Sequence, residues 1–141
     1  MPSTLSAAIA ASASALNAEK TRVEVAVSNI ANAESTRSTN GEPYRRRDVL
    51  LEAQDTNAFD QSLSGAIGVK VAGVVADTKA FQRRYEPGHA DADEDGWVSV
   101  PNIDTSVEMV DMMSASRAYQ ANLAAIGIIR DMLSRALDLA K

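Results

Sequence analysis

Large apolar side chains recur every seven residues near both ends of this chain. That spacing places side chains on one stripe of an α-helix and is typical of helices that pack against other helices. Two such series are present: Ile9, Leu16, Val23 and Ile30 in the first, and Met112, Tyr119, Ile126 and Leu133 in the second. The pattern predicts one long helix over residues 5–31 and another over residues 105–140.

Neither predicted helix has the composition of a self-sufficient core. Alanine occupies many other positions of the first helix, and small side chains bury little apolar area. The second helix carries a wider apolar stripe, since Leu123, Ile129 and Met132 extend it beyond the seven-residue series. One alanine-rich helix cannot cover so wide a stripe. The uncovered apolar surface predicts contacts with other subunits.

Strand character is confined to the region between the two helices. Residues 69–75 are β-branched and partly alternating, which favours a strand, and residues 43–52, 81–85 and 97–100 are shorter candidates. Residues 53–67 are polar and rich in turn formers, so they are expected to form a mobile loop. This middle region connects the end of the first helix to the start of the second. The helices should therefore run antiparallel, with the β-structure at their tip.

We therefore predict an α+β fold in which long antiparallel N- and C-terminal helices, coiled-coil-like, flank a small β-rich domain. The domain boundaries follow the change in pattern. Residues 1–33 and 103–141 form the helical domain, and residues 34–102 form the inserted β-rich domain.

The charge of the chain is concentrated in the middle. The net charge is −5, and residues 41–104 hold 7 basic and 12 acidic side chains, so this region carries all of the net charge. The neutral terminal segments favour self-association, and the acidic middle favours exposure to solvent. An acidic chain of this kind does not favour nucleic acid as a partner.

Several classes of site are excluded or disfavoured by composition. The chain has no cysteine, which excludes disulfides, thiolate catalysis and cysteine–zinc sites. Its longest apolar run, Leu123–Ile129, is far shorter than the ~20 residues of a membrane span. The N-terminal residues show neither a basic region nor an apolar stretch of a cleavable signal. Export, if it occurs, is expected to use another route.

One acidic segment resembles the start of a calcium-binding loop. Residues 91–96 read Asp-Ala-Asp-Glu-Asp-Gly, as in an EF-hand, but the twelfth position is Asn102 where a bidentate glutamate is required. Pro87 and Gly88 also interrupt any helix that would enter the loop. We interpret the segment as a solvated turn, and a soluble calcium-binding module stays an alternative.

No catalytic pattern is visible. His89 is the single histidine, and no second ligand or nucleophile motif accompanies it. The basic run Arg45–Arg47 is short and precedes Asp48, which indicates a surface patch beside an acidic neighbour. We expect no enzymatic activity, no catalytic residue, no metal, no cofactor and no small-molecule substrate.

Asparagines lie in or beside both helices. Asn32 is expected to end the first helix, with the left-handed conformation that asparagine tolerates. Asn29 and Asn122 are either exposed or buried amides that fix the register of packed helices. The position of Asn122, three residues after Tyr119, favours the second interpretation.

Motifs at both ends resemble a known family. The sequence Asn-Ile-Ala-Asn at 29–32 is similar to the motif that ends the first helix of bacterial flagellar axial proteins, the rod and hook family. Residues 108–112 and 116–122 resemble the C-terminal motif of the same family. Segments 41–46, 85–89, 95–98 and 101–104 resemble its short rod members. Trp97, Gln120 and Ala90 depart from the usual Tyr, Glu and Pro.

The resemblance implies a structural subunit of the proximal rod of the flagellar basal body. Such subunits polymerise into a helical, periplasm-spanning tube that transmits torque from motor to hook, and they are exported without a cleavable signal peptide. The implied partners are further copies of the chain, other rod proteins, and components of the basal-body ring and the export gate. A coiled-coil adaptor is a third interpretation, beside the calcium module.

Pattern and resemblance together predict the residues of the helical subunit interface. They share the apolar series or the terminal motifs: Ile9, Leu16, Val23, Asn29, Ile30, Asn32, Met109, Met112, Arg117, Tyr119, Asn122, Leu123, Ile126 and Leu133.

Overall fold

The computed structural model describes residues 4–54 and 67–139. Its elements follow one another in the order α1 (Thr4–Ala31), β1 (Arg47–Ala53), β2 (Val69–Ala76), β3 (Gln82–Tyr85), β4 (Trp97–Val100) and α2 (Thr105–Leu139). The predicted α+β fold class is confirmed. Most of the segment expected to be a mobile loop, residues 55–66, lies outside the described residues, as does residue 140 of the predicted second helix.

The two helices pack against each other in antiparallel directions. Near the C-terminal end of α1, Asn29 Nδ2 donates to Glu108 Oε2 in the first turns of α2, at 2.9 Å. Ala18 and Ala26 of α1 and Ala115 of α2 are buried. The small side chains that limit the apolar area of α1 also allow another element to approach its backbone closely. The predicted antiparallel arrangement is confirmed.

The β1–β2 hairpin lies along α1, and this corrects the expectation that all β-structure sits at the tip of the helices. At one end of the hairpin, Asn29 Nδ2 donates to the carbonyl of Arg47 at 2.8 Å. At the other end, the amide of Val69 donates to Ser14 Oγ at 3.0 Å. The antiparallel ladder joins Arg47 to Ala76 and Ala53 to Val69. Since an isolated two-stranded hairpin is marginally stable, contact with α1 supports it.

The β3–β4 hairpin forms the second sheet, with Gln82 paired to Val100 and Tyr85 paired to Trp97. Val98 and Val100 turn inward and are buried, while Trp97 and Ser99 are exposed, as period-two alternation requires. Gly96 precedes β4 with a φ of 81°. A Cβ there would lie 3.0 Å from Tyr85 Cε2, so both conformation and space favour glycine.

β1 begins at Arg47, four residues after the predicted start at Pro43. Proline has no amide hydrogen to donate, and the amide of Tyr44 donates to the carbonyl of Ser35 at 3.1 Å. These backbone groups therefore have no place in the ladder. The other three strands begin or end within one residue of the predicted boundaries.

Side chains cap the C-terminal end of α1 and the N-terminal end of α2. Asp104 Oδ1 accepts from the amides of Ser106, at 2.9 Å, and Val107, at 3.3 Å, which makes Asp104 the N-cap of α2. Asn32 Nδ2 donates to the carbonyl of Ser28 at 2.8 Å and so satisfies the end of α1. The expected left-handed Asn32 is wrong, because glycines are the only described residues with positive φ.

Among the described residues, no helix is both long and apolar enough to cross a membrane. The division of the chain into residues 1–33 plus 103–141 and residues 34–102 stays a prediction.

Candidate assembly surface

A row of apolar residues on α2 faces away from the rest of the chain. Val110, Ile128 and Leu139 are 64%, 61% and 89% exposed, and Met132 is also exposed. At 100° per residue these four positions fall on one stripe, roughly opposite the buried Glu108 and Ala115. We call Val110, Ile128, Met132 and Leu139 the outer stripe of α2. Large apolar side chains that are exposed together on one side of a helix are typical of an interaction site.

The residues predicted for the subunit interface fall into three groups. Met109, Arg117 and Leu123 are exposed, and Asn29 is buried inside the chain. The remaining residues are half-buried: Ile9, Leu16, Val23, Ile30, Asn32, Met112, Tyr119, Asn122, Ile126 and Leu133. Both seven-residue series belong to this half-buried group, so each series is already covered in part by the chain itself.

Sequence reasoning missed the outer stripe as a group. None of its four residues was predicted as an interface residue, because the seven-residue series lies on the half-buried inner side of the helix. The available signal was the width of the apolar pattern. A helix with apolar residues on both sides is expected to be packed against other elements on both sides in the assembled protein.

The β1–β2 hairpin adds a second exposed apolar area. Leu50 and Leu51 of β1 and Val74 and Val75 of β2 are exposed. The ladder shifts register between Leu50 and Leu51, which is a β-bulge. Within the described residues, this sheet has two strands, so each strand has one edge without a neighbouring strand.

A buried polar cluster joins α1, β1 and α2 at the end of the molecule where the helices meet the β-structure. Asn29 and Glu108 are 1% and 2% exposed. Besides its bond to Glu108, Asn29 accepts at Oδ1 from the amide of Arg47 at 2.9 Å and from the Tyr44 hydroxyl at 3.1 Å. All buried side-chain nitrogen and oxygen atoms of the described residues have hydrogen-bond partners.

Arg46 completes this cluster. Its Nε donates to Glu108 Oε1, so each oxygen of the Glu108 carboxylate accepts from a different side chain. Burial acts to lower the pKa of Arg46, but the hydrogen bond and negative charge of Glu108, with Asp48, raise that pKa above its ordinary value. The guanidinium therefore stays charged. We call Asn29, Arg46 and Glu108 the buried polar cluster.

The arginine run is used within the chain, as the sequence interpretation of a basic patch beside acidic neighbours partly anticipated. Arg45 stacks on the ring of Phe81 with its guanidinium carbon 4.3 Å from the ring centre. Arg47 lies 5.6 Å from the ring centre of Tyr44. With Arg46 in the buried polar cluster, all three side chains have intramolecular partners.

The calcium-like segment is a hydrogen-bonded turn. Asp93 Oδ1 accepts from the amides of Trp97, at 2.8 Å, and Asp95, at 3.1 Å, while Arg83 donates to Asp93 Oδ2. Asp91 accepts from Thr36 Oγ1 at 2.8 Å. Across residues 4–54 and 67–139, no group of three metal-ligating side chains is close enough to hold an ion.

One of the two asparagines that were candidates for a buried amide is buried between the helices. Asn29, and not Asn122, is the buried amide that bridges the helices, since Asn122 Nδ2 donates to the Ala118 carbonyl of its own helix at 2.9 Å. Glu108 was not singled out as its partner. It lies seven residues before Ala115 and four before Met112, so helical spacing was a signal that could have assigned it to the inner side of α2.

Comparison with known proteins identifies the relatives of this chain. Residues 94–139 match the family model of the flagellar basal body rod FlgEFG protein C-terminal region. The flagellar basal-body rod protein FlgC of Escherichia coli O6:H1 is 41% identical over 128 residues, which cover 91% of this chain and 92% of that protein.

Relatives in distant bacteria agree with this match. FlgC of Bacillus subtilis is 39% identical over 141 residues, covering 92% of this chain and 94% of that protein. FlgC of Agrobacterium fabrum is 40% identical over 138 residues, covering 97% of this chain and 96% of that protein. The resemblance seen in the terminal motifs is thereby confirmed, and the chain belongs to the FlgC family of flagellar basal-body rod proteins.

Proposed function

We propose that this chain is a structural subunit of the flagellar basal-body rod, that it lies in the proximal part of the rod, and that it polymerises there with itself and with other rod proteins. The observation that carries the proposal is the outer stripe of α2, an apolar surface that the described part of the chain leaves uncovered. Membership of the FlgC family supports the identity of the assembly.

The dimensions of the helices suit a load-bearing tube. At 1.5 Å per residue, the 28 residues of α1 and the 35 residues of α2 extend about 40 Å and about 50 Å. Contacts between two different surfaces of neighbouring copies generate a helical array when they do not close into a ring. Long helices packed along such an array resist sliding, because sliding would separate many close-packed apolar contacts at once. This arrangement supports torque transmission from motor to hook.

The proposal includes a location and a route. The chain would lie in the periplasm-spanning rod, in contact with basal-body ring and export-gate components at its base, after export without a cleavable signal peptide. It acts through packing, with no catalytic step. The intramolecular partners of Asp91 and Asp93 in the acidic turn leave these carboxylates little freedom to gather around an ion.

The outer stripe provides the test. Ile128→Gln should leave the stability of the monomer unchanged within about 0.5 kcal/mol, because Ile128 is exposed there. It should strongly reduce swimming and the number of completed rods when it replaces the natural gene. Ser134→Ala, at an exposed polar position of the same helix outside the terminal motif, is the matched control and should swim normally.

Soft-agar swimming and electron microscopy of isolated basal bodies are the measurements, with immunoblots to show equal expression. Normal swimming by a strain that lacks the gene would contradict the rod assignment. Normal swimming of Ile128→Gln alone would remove the outer stripe from the interface. Tyr119→Ala and Asn122→Ala test the predicted interface residues in the same assay.

A further inference from the structure

We propose that the buried polar cluster of Asn29, Arg46 and Glu108 selects a single register of α1 against α2, and that Glu108 is the positioning residue at its centre. The apolar contacts of the two helices do not select a register by themselves. Both helices repeat large apolar residues with the same seven-residue spacing. A slide of one helix by one repeat therefore brings apolar residues level with apolar residues again.

The buried alanines do little to prevent such a slide. Ala18, Ala26 and Ala115 are the buried apolar residues of the two helices. The methyl side chain of alanine does not insert deeply between residues of the facing helix, so sliding does not require it to leave one packing site and enter another. The closely packed part of the helix pair is therefore tolerant of translation, and the register must be specified by other groups.

The cluster is complete in one register only. After a slide of one repeat in one direction, Ala115 stands level with Asn29, and Ala115 has no hydrogen-bonding side chain. After a slide in the other direction, Pro101 reaches that level, beyond the start of α2. In both cases the buried Asn29 amide loses its bond to the Glu108 carboxylate, and a buried polar group left unpaired is strongly unfavourable. In the second register Glu108 stands level with Arg22, which already pairs with Glu19, so the three-residue cluster is not rebuilt there.

The cluster also ties this register to the hairpin. Asn29 bonds both the amide and the carbonyl of Arg47, where β1 begins, and Arg46 bonds Glu108. One set of hydrogen bonds therefore positions α1, α2 and the β1–β2 hairpin together. A slipped register would displace the outer stripe along α1 by about 10 Å, since seven residues of helix span that length. A displaced outer stripe would no longer lie opposite the surface of the neighbouring copy that it is proposed to contact.

Two spin labels measure the register directly. The chain has no cysteine, so Asn17→Cys in α1 and Ser106→Cys in α2, both exposed, would be the only labelled sites. Pulsed electron paramagnetic resonance on the dilute full-length chain should show one distance between the labels. Replacing the ion pair by Arg46→Met with Glu108→Met should keep the helices folded and add a second distance displaced by up to about 10 Å.

The matched control removes an exposed pair of the same chemistry. Glu52 and Lys70 form a cross-strand ion pair at 3.4 Å, and both side chains are exposed. Glu52→Met with Lys70→Met should leave the single distance unchanged. A second distance in the parent protein, or a single unchanged distance in the Arg46→Met, Glu108→Met protein, would overturn the proposal.

If the Arg46→Met, Glu108→Met protein does not fold, Glu108→Gln tests whether Glu108 specifies the helix register. Both carboxylate oxygens accept hydrogen bonds, from Asn29 and from Arg46. The side-chain NH2 group of glutamine would therefore face either Asn29 Nδ2 or Arg46 Nε, and both of these groups are also hydrogen-bond donors. We expect a second distance in this variant too, and a single unchanged distance would overturn the proposal. The inference rests on the proposed function only for its effect on assembly. The distances are measured on the monomer, so failure of the rod assignment would leave them unaffected.

Discussion

Glu108 has the most demanding environment of any charged residue described in this chain. Its carboxylate is buried and accepts from Arg46 and Asn29, whereas Arg46 also reaches the half-exposed Asp111, with 3.8 Å between Arg46 Nη2 and Asp111 Oδ2. A buried charge that keeps both partners is tolerated, but a buried partner left alone is costly. Glu108 and Asp111, two of the three carboxylates around Arg46, should therefore differ greatly in their effect on stability.

Glu108→Ala should lower the free energy of unfolding by about 3–5 kcal/mol, because it leaves Arg46 and Asn29 partly unpaired. Asp111→Ala is the matched control and should cost less than about 1 kcal/mol, since exposed ion pairs contribute little. Urea unfolding followed by circular dichroism compares the two variants. Equal losses would show that the buried contacts do not dominate.

Asp93 presents the opposite case of an exposed carboxylate with a defined role. The hydrogen bond from the Trp97 amide lowers the pKa of Asp93 below its usual value, and the positive charge of Arg83 and the Asp95 amide lower it further. A carboxyl group with a lower pKa in the folded state stabilises the fold above its unfolded pKa. This contribution is lost as the pH falls through the lower, folded value.

Asp93→Asn should therefore be less stable than the parent chain near pH 6, and the difference should disappear well below pH 3.8, the ordinary value for aspartate. Thermal unfolding at a series of pH values between these limits measures the difference. Asp95→Asn removes the same charge from a neighbouring carboxylate that accepts none of these bonds, and serves as the control. A difference that is independent of pH would contradict the role assigned to the ionised Asp93.

At the scale of elements, two glycines show how differently one residue type is used. Gly127 lies in the interior of α2, and a Cβ added there would meet no atom within 4 Å. Gly96 lies in the turn before β4 with positive φ and close contacts to Tyr85 and Pro87. The conformation of the chain requires the second glycine. No described residue accounts for the first, whose position on α2 is open to close approach by another helix.

Gly127→Ala should raise the helicity of α2 and stabilise it by about 0.5–1 kcal/mol, because alanine has the higher helix propensity. Gly96→Ala should destabilise the β3–β4 hairpin by about 1–2 kcal/mol, the usual cost of a left-handed conformation for a residue with a Cβ. Circular dichroism and chemical unfolding measure both effects. A destabilised Gly127→Ala monomer would indicate a contact within the chain.

For the whole molecule, the contacts are unevenly distributed along the helix pair. The buried polar cluster supports the end near Asn29 and Glu108, and the hairpin reaches back along α1 to Ser14, whereas no described residue covers the outer stripe of α2. Helices of this kind take most of their stability from packing. The helices of the monomer should therefore be most stable near the buried polar cluster and should unfold locally more often toward the chain ends.

Hydrogen exchange should show this gradient. Amides of residues 22–29 and 108–115 should be the most protected helical amides, and those of residues 5–12 and 130–137 should exchange rapidly in the monomer. Incorporation into rods should extend protection to the chain ends, because neighbours then cover the outer stripe. Strong and uniform protection throughout 5–31 and 112–137 in the monomer would contradict this expectation.

Local patterns were sufficient for the elements of the fold. Seven-residue spacing predicted both helices close to their observed bounds, and β-branched runs predicted four strands, of which Trp97–Val100 matches without change. These signals are local because helices and strands form hydrogen bonds and amphipathic faces among near neighbours. The terminal motifs likewise identified the family, which the relatives confirm.

The tertiary structure decided which residues meet across long stretches of chain. Asn29 and Glu108 are 79 residues apart in sequence, and no periodicity of either helix indicates that pairing. The position of the β1–β2 hairpin along α1 depends on the contacts of Ser14 with Val69 and of Asn29 with Arg47, which are equally non-local. Spacing along the chain sets which side of an element is apolar. Only the folded chain determines which polar groups on that side find partners, because burial makes each unpaired group costly.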